Sequence, residues 1–113
     1  MIKHSIVLVP FPFDDFSATK VRPALCITSE IGDFGHVIIA FISSNVPEQK
    51  LESDVEINVG TLEWSGTGLS ADSVIRLHKI VTIPKYLIKR RLGKLNAELC
   101  ELVRSKIFDL FEN

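Results

Sequence analysis

Polar side chains that suit a phosphate or a ribose stand where apolar runs of this sequence begin and end. Arg22 comes directly before Pro23, and a residue before proline is restricted to extended backbone, which holds Arg22 at the rim of the fold. The run Ser43-Ser44-Asn45 closes the most nearly apolar stretch of the chain. These groups indicate a binding site, or alternatively a surface ion pair of Arg22 with Asp14 or Asp15 and an ordinary strand-end turn.

A cation and a titratable imidazole follow in a later apolar run. Arg76 and His78 alternate with Leu77, and the period of two in a strand predicts that both lie on one face, opposite Leu77. An imidazole exchanges protons near neutral pH. The alternative interpretation is that His78 is an exposed histidine at a strand edge.

Several kinds of site lack their sequence signals. The three histidines, His4, His36 and His78, form neither an HxxxH nor an HxH pair, so we expect no metal site. No GxxxxGK[ST], GxGxxG or GxSxG occurs, which argues against a nucleotide-phosphate loop and against α/β-hydrolase chemistry. The sequence predicts no cofactor.

Composition limits the domain count and the kind of nucleic-acid binding. A chain of 113 residues suits one hydrophobic core, so residues 1–113 are predicted to form a single domain. The net charge of −1 argues against a protein that coats nucleic acid indiscriminately, and any RNA binding must be local. No apolar run is long enough to cross a membrane, which favours the cytoplasm. Cys26 and Cys100 lack CxxC spacing and are interpreted as reduced structural thiols.

Short runs rich in Val and Ile precede one segment of helical periodicity, which predicts a mainly β (α+β) domain that ends in a helix. Asn96 is the expected helix cap, and Pro84 to Ile88 is expected to form a short helical turn. The run from His36 to Ser43 is expected to be central and buried on both faces. The predicted strands are Ser5–Val9, Ala24–Ser29, His36–Ser43, Asp54–Val59, Ser73–Leu77 and Lys79–Ile83.

Three segments allow two interpretations each. The long connection from Pro10 to Val21 is a binding or lid segment, or a loop whose phenylalanines cap the barrel. The basic residues between Lys85 and Lys94 form a patch for RNA phosphates or an acidic partner, or a solvated face. Trp64 is an interface anchor or ordinary core.

The ordered set of these segments resembles the MazF/PemK toxin family. The likeness is carried by Ile6-Val7-Leu8-Val9 with its following loop, Arg22 through Ser29, Val37 to Ser44, Ser73 through Ile83, and Ile88 to Leu95. The resemblance implies an SH3-like small barrel of the CcdB/PemK type with a C-terminal helix. It also implies a symmetric homodimer that cleaves single-stranded RNA and is restrained by a cognate antitoxin.

The resemblance also assigns residues. The arginine before proline falls on Arg22, the strand-end threonine of the family falls on Ser43, and Arg76 matches an arginine that some members use. The chain departs from the family pattern at three places. His4-Ser5 replaces a Gly-Asp pair, Ser17 or a neighbour replaces a glutamate, and His78 replaces an aspartate. The expected RNA-binding residues are Arg76, Ser44, Asn45, Ser17, Thr19 and Lys20.

The chemistry implied by the resemblance needs no metal, because the ribose 2′-OH attacks the adjacent phosphorus and yields a 2′,3′-cyclic phosphate. Arg22 is expected to stabilise the phosphorane, Ser43 to orient the phosphate, and His78 to act as general base or acid. Two alternatives stay open. One is a toxin of the same fold that binds gyrase without hydrolysis, and the other is a homologue weakened by the His78 departure.

Overall fold

A computed structural model describes residues 2–10 and 20–112 of the chain. The strands are β1 (Ser5–Pro10), β2 (Val21–Cys26), β3 (His36–Ser43), β4 (Asp54–Ile57), β5 (Ser73–Pro84) and β6 (Arg90–Lys94). A short 3₁₀ helix, Lys85–Leu87, connects β5 to β6, and helix α1 spans Ala97–Glu112.

The strands form one antiparallel sheet in the order β4-β5-β3-β2-β1-β6. β3 lies inside the sheet between β5 and β2, and its apolar residues are buried on both faces. The prediction of a central, doubly buried strand from His36 to Ser43 is therefore confirmed.

Each face of the sheet carries its own apolar cluster, because side chains alternate along the strands. The helix face is the side on which α1 packs, and the opposite side is called the open face. The helix-face core includes Ile6, Leu25, Ala40, Ile42, Ile75, Leu77, Leu99 and Val103. The open-face core includes Val7, Val9, Ala24, Cys26, Val37, Ile39 and Ile83, with Phe41, Leu87 and Ile88 packed against it.

Helix α1 begins where the sequence predicts. The Asn96 side-chain oxygen accepts a hydrogen bond of 2.8 Å from the Leu99 N–H, which satisfies a backbone donor of the first turn. Leu99 and Val103 are then buried against the sheet. In residues 2–10 and 20–112, no helix has the length and apolar character needed to cross a membrane.

Both cysteines are free thiols, as interpreted from their spacing. Cys26 is buried in the open-face core, and burial raises the pKa of its thiol to about 11. Because the thiolate is the reactive form, Cys26 is chemically inert at neutral pH.

β2, β5 and β6 differ from the predictions. β2 spans Val21–Cys26 instead of Ala24–Ser29, so Arg22 lies within the strand. Ser73 to Pro84 form one strand instead of two. In the β3–β5 ladder, Ala40 lies opposite Ile80, whereas its neighbour Phe41 lies opposite Arg76. Residues 77–79 therefore have no cross-strand partner in β3, as in a β-bulge. β6 was not predicted because its sequence, RRLGK, is short and its residues are exposed or half-buried at the sheet edge.

The loop between β4 and β5 packs closely on β6 through glycine. The Lys94 N–H donates to the Gly66 carbonyl at 2.9 Å, and a Cβ added at Gly93 would overlap that same carbonyl oxygen. Trp64 packs on the helix-face core, and its indole N–H donates to the Leu69 carbonyl at 2.7 Å. Trp64 is half-buried, so part of its indole packs on this core and the rest reaches solvent.

Gly93→Ala is expected to lower the free energy of unfolding by about 1–3 kcal/mol, because the added methyl group overpacks a backbone contact. Lys94→Ala is the matched control, since Lys94 is exposed on the same strand and should change stability by no more than about 0.5 kcal/mol. Urea unfolding followed by circular dichroism measures both. Equal stability of G93A and K94A would contradict the overlap.

Candidate functional site

Arg22 and Ser43 lie on the open face at one end of the sheet. Arg22 is paired with Val9, which belongs to the open-face core. Phe41 is opposite Ala24 in the β2–β3 ladder. Ser43 lies two residues after Phe41 in β3 and therefore on the same face. Both side chains are half-buried. The structure therefore brings the predicted arginine and hydroxyl to the same face of two neighbouring strands.

The Ser43 hydroxyl is oriented by a turn. Its oxygen accepts a hydrogen bond of 3.0 Å from the Asn45 N–H, as in a serine turn that ends a strand. A hydroxyl that accepts one bond still carries a proton to donate. Ser43 can therefore donate to a phosphate oxygen, while Ser44 and Asn45 stand exposed beside it.

Arg76 has a structural partner. Its Nε lies 2.9 Å from Asp54 Oδ1, and the Asp54 side chain is fully buried. The second oxygen of Asp54 accepts the Leu51 N–H at 2.8 Å. Arg76 therefore neutralises a buried carboxylate that fixes the start of β4.

The expectation that Arg76 and His78 share a face stays a prediction. The register shift between Ala40 and Phe41 interrupts the alternation on which that prediction depends. Leu77 packs in the helix-face core, and His78 lines a cavity together with residues of α1. Arg76 points toward Asp54 on the open-face side.

The His78 cavity has a volume of about 550 Å³ and lies between α1 and the segment before β4, with Leu51, Glu52, Ser53, Lys106, Asp109 and Leu110 as its other walls. His78 itself is exposed. Partial burial and then the neighbouring Arg76 lower its pKa from the ordinary value of 6.5, against a smaller opposing effect of Asp54. The imidazole is therefore neutral at pH 7 and able to accept a proton. Arg22 and Ser43 do not line this cavity.

Lys79 and Phe41 belong to the open face, although the sequence did not indicate them. The Lys79 ammonium lies 5.6 Å from the centroid of the Phe41 ring, within cation–π range. Phe41 and Ser43 are two residues apart in β3 and share a face, so the Lys79 ammonium lies on the same face as the candidate site. The position of Lys79 on this face could not be predicted from the sequence, because it depends on the register shift in the β3–β5 ladder.

The other predicted residues that the structure describes do not form one patch. Ser17 and Thr19 lie outside the described residues, and Lys20 is exposed just before β2. In the basic stretch, Lys85 pairs with Glu30 at 3.3 Å. Arg90 and Arg91 face opposite sides of β6, opposite Leu8 and Val7. In residues 2–10 and 20–112, no cluster of three or more His, Cys, Asp or Glu side chains is arranged to hold a metal ion.

Comparison with known proteins finds one matching family model and several solved structures of the same fold. The family model described as PemK-like, MazF-like toxin of type II toxin-antitoxin system matches residues 3–111. The Mycobacterium tuberculosis toxin MazF-mt6 is 24% identical and superposes with a TM-score of 0.72 over 96% of each chain. MazF from Deinococcus radiodurans is 16% identical, with a TM-score of 0.73 over 100% of this chain and 97% of its own.

A third solved structure is an endoribonuclease from a mycobacterial species in complex with its cognate antitoxin, at 8% identity and a TM-score of 0.71 over 99% of this chain and 95% of its own. No curated protein sequence matches the chain. At these identities the structures show the fold alone, and they confirm the predicted mainly β architecture with a C-terminal helix.

Arg76→Met is expected to lower the free energy of unfolding by about 3–5 kcal/mol, because it leaves the Asp54 carboxylate buried and unpaired. Adding Asp54→Asn removes that charge while keeping an oxygen for the Leu51 N–H, so the double variant should recover part of the loss. Urea unfolding of the single and double variants provides the measurement. A single variant as stable as the unmodified protein would show that the pair contributes nothing.

Proposed function

We propose that this chain, which belongs to the PemK-like, MazF-like toxin family of type II toxin–antitoxin systems, is an endoribonuclease that cuts single-stranded RNA at selected sequences. The observation that carries the proposal is the meeting of Arg22 and Ser43 on the open face at one end of the sheet. The mycobacterial structure of the same fold, an endoribonuclease, supports the same activity.

The reaction follows from the chemistry of RNA. The ribose 2′-oxygen bonds to the adjacent phosphorus as the bond from phosphorus to the 5′-oxygen breaks, giving a 2′,3′-cyclic phosphate and a free 5′-OH. A proton leaves the 2′-OH and another reaches the departing 5′-oxygen. The protein must therefore accept the 2′-OH proton and stabilise extra negative charge on the phosphorane, while a solvent water molecule donates the proton that the 5′-oxygen takes up.

Arg22 is the charge-stabilising residue. The planar fork of a guanidinium matches two phosphate oxygens. Ser43 donates its hydroxyl proton to the same phosphate, since its oxygen already accepts from Asn45. Lys79 adds a cation over Phe41 on the same face and binds a neighbouring phosphate.

His78 is proposed to transfer a proton. Its neutral imidazole is the form that accepts the 2′-OH proton, and its lowered pKa keeps that form populated at pH 7. His78 lines the cavity beside α1 and not the Arg22–Ser43 site. This role therefore requires bound RNA to bring the attacking 2′-OH within about 3 Å of the imidazole. Arg76, held by Asp54, maintains the strand geometry.

The protein partners are proposed to be a cognate antitoxin and a second copy of the chain, in the cytoplasm. The mycobacterial endoribonuclease is itself bound to its cognate antitoxin. Phe108 and Phe111 are 63% and 70% exposed on α1, which supplies an apolar surface for a protein contact.

Arg22→Ala should lower the cleavage rate by about 10²–10³-fold, the usual cost of removing one donor that stabilises a developing anion. The matched control is Arg104→Ala, which removes an arginine 80% exposed on α1 and should leave the rate unchanged. The assay compares RNA with DNA of the same sequence in EDTA, and induced expression reports growth arrest. Cleavage of DNA, loss of activity in EDTA or undiminished activity of R22A would each contradict the proposal.

His78→Gln should remove the acidic limb of the pH–rate profile. A general base must be deprotonated, so the rate of the unmodified protein rises with pH through the pKa of His78. Because that pKa is lowered, the midpoint of the rise should lie below 6.5. Single-turnover cleavage of a short RNA between pH 4.5 and 8 measures it. An identical profile in H78Q would exclude His78 from proton transfer.

A further inference from the structure

A second cavity opens at the same end of the sheet as Arg22 and Ser43, on the helix face. It has a volume of about 380 Å³, and its walls include Pro23 and Ser44, the chain neighbours of Arg22 and Ser43. Consecutive residues of a strand point to opposite faces, so a rim one backbone thick separates the cavity from the phosphate site. If a phosphate of a chain-like ligand binds Arg22 and Ser43, the neighbouring group of that ligand can reach over this rim into the cavity.

The walls of the cavity suit a flat, partly polar ligand. Leu8 and Leu92 provide apolar surface, while Arg90, Ser44 and Ser70 provide donors. Arg90 is the one charged side chain among the described residues that line it. The volume lies within the range of about 300–1,000 Å³ that is usual for small-molecule sites.

One wall is fixed before any ligand arrives. Thr67 is fully buried; its hydroxyl donates to the Trp64 carbonyl at 2.7 Å and accepts the Leu69 N–H at 3.2 Å. The Trp64 indole N–H donates to the Leu69 carbonyl. The Ser73 hydroxyl donates to the Ala71 carbonyl at 2.8 Å. The segment that faces Arg90 across the cavity is therefore preorganised, which reduces the entropy lost on binding.

We propose that this cavity binds one nucleobase of the RNA, next to the cleaved phosphate, and that Arg90 determines which base is accepted. Proteins that read single-stranded RNA splay bases out of the stack and bind their edges in pockets. A guanidinium pairs best with a base that offers two acceptors, as guanine does through O6 and N7. The inference rests on the proposed ribonuclease function and gives it a source of sequence selectivity.

The chain offers a matched pair of variants. Arg90 and Arg91 are adjacent on β6, both exposed, but Arg90 lies opposite Leu8 on the cavity side and Arg91 lies opposite Val7 on the other face. Arg90→Gln and Arg91→Gln therefore remove the same charge from the same strand. Only R90Q removes a guanidinium from the cavity.

The experiment maps cleavage ends on a long RNA and then measures rates on four short RNAs that differ only at the base beside the cut. We expect R91Q to keep the base preference of the unmodified protein and R90Q to lose about tenfold or more of it, with unchanged urea unfolding midpoints. A base preference that R90Q retains, or that both variants lose equally, would overturn the inference.

A binding measurement separates this inference from the proposed function. The same four RNAs are titrated against the unmodified protein, R90Q and R91Q, with fluorescence anisotropy as the readout. If the unmodified protein binds RNA with a base preference that R90Q alone loses, but cuts none of the RNAs, the base site stands and the ribonuclease proposal fails. Base-independent binding by the unmodified protein would reject the base site, whether or not RNA is cut.

Discussion

Pairing between β3 and β5 is the constraint on which the rest of the structure depends. β5 is the longest strand, with 12 residues, and it joins β4 and β3 to form one half of the sheet. The break in register between Ala40 and Phe41 increases the local twist. Arg76 lies just before the break, in regular register with Asp54 of β4, whereas His78 and Lys79 lie within it. One irregularity in one ladder thus affects where the side chains of His78 and Lys79 emerge.

The alternation of side chains gives this end of the sheet two proposed sites from two pairs of neighbouring residues. Arg22 and Ser43 occupy the open face, whereas Pro23 and Ser44 line the cavity on the helix face. Apolar clusters fill both faces farther along the strands. The polar groups lie beyond these clusters, at the strand ends, where they can reach solvent. The buried clusters hold the strands in register, and this rigidity fixes the spacing of the polar groups.

Much of the fold could be predicted because the signals were local. The apolar run from His36 to Ser43 and the cap at Asn96 each depend on a few neighbouring residues, and both predictions are confirmed. β6 was missed because an edge strand lacks the alternation that burial on one face imposes. The side on which His78 emerges could not be predicted, since it depends on a register shift set by pairing with β3. Lys79 was missed for the same reason.

The near-neutral charge of the chain shapes how its proposed site must work. With a net charge of −1, long-range attraction of RNA is weak, so discrimination and affinity must come from short-range contacts. Arg22, Lys79 and Arg90 supply cations on the two faces of the sheet, while Arg76 is largely committed to Asp54. A site built from a few fixed cations and a preformed cavity gains more from base selection than from charge alone, which favours a selective nuclease over an indiscriminate one.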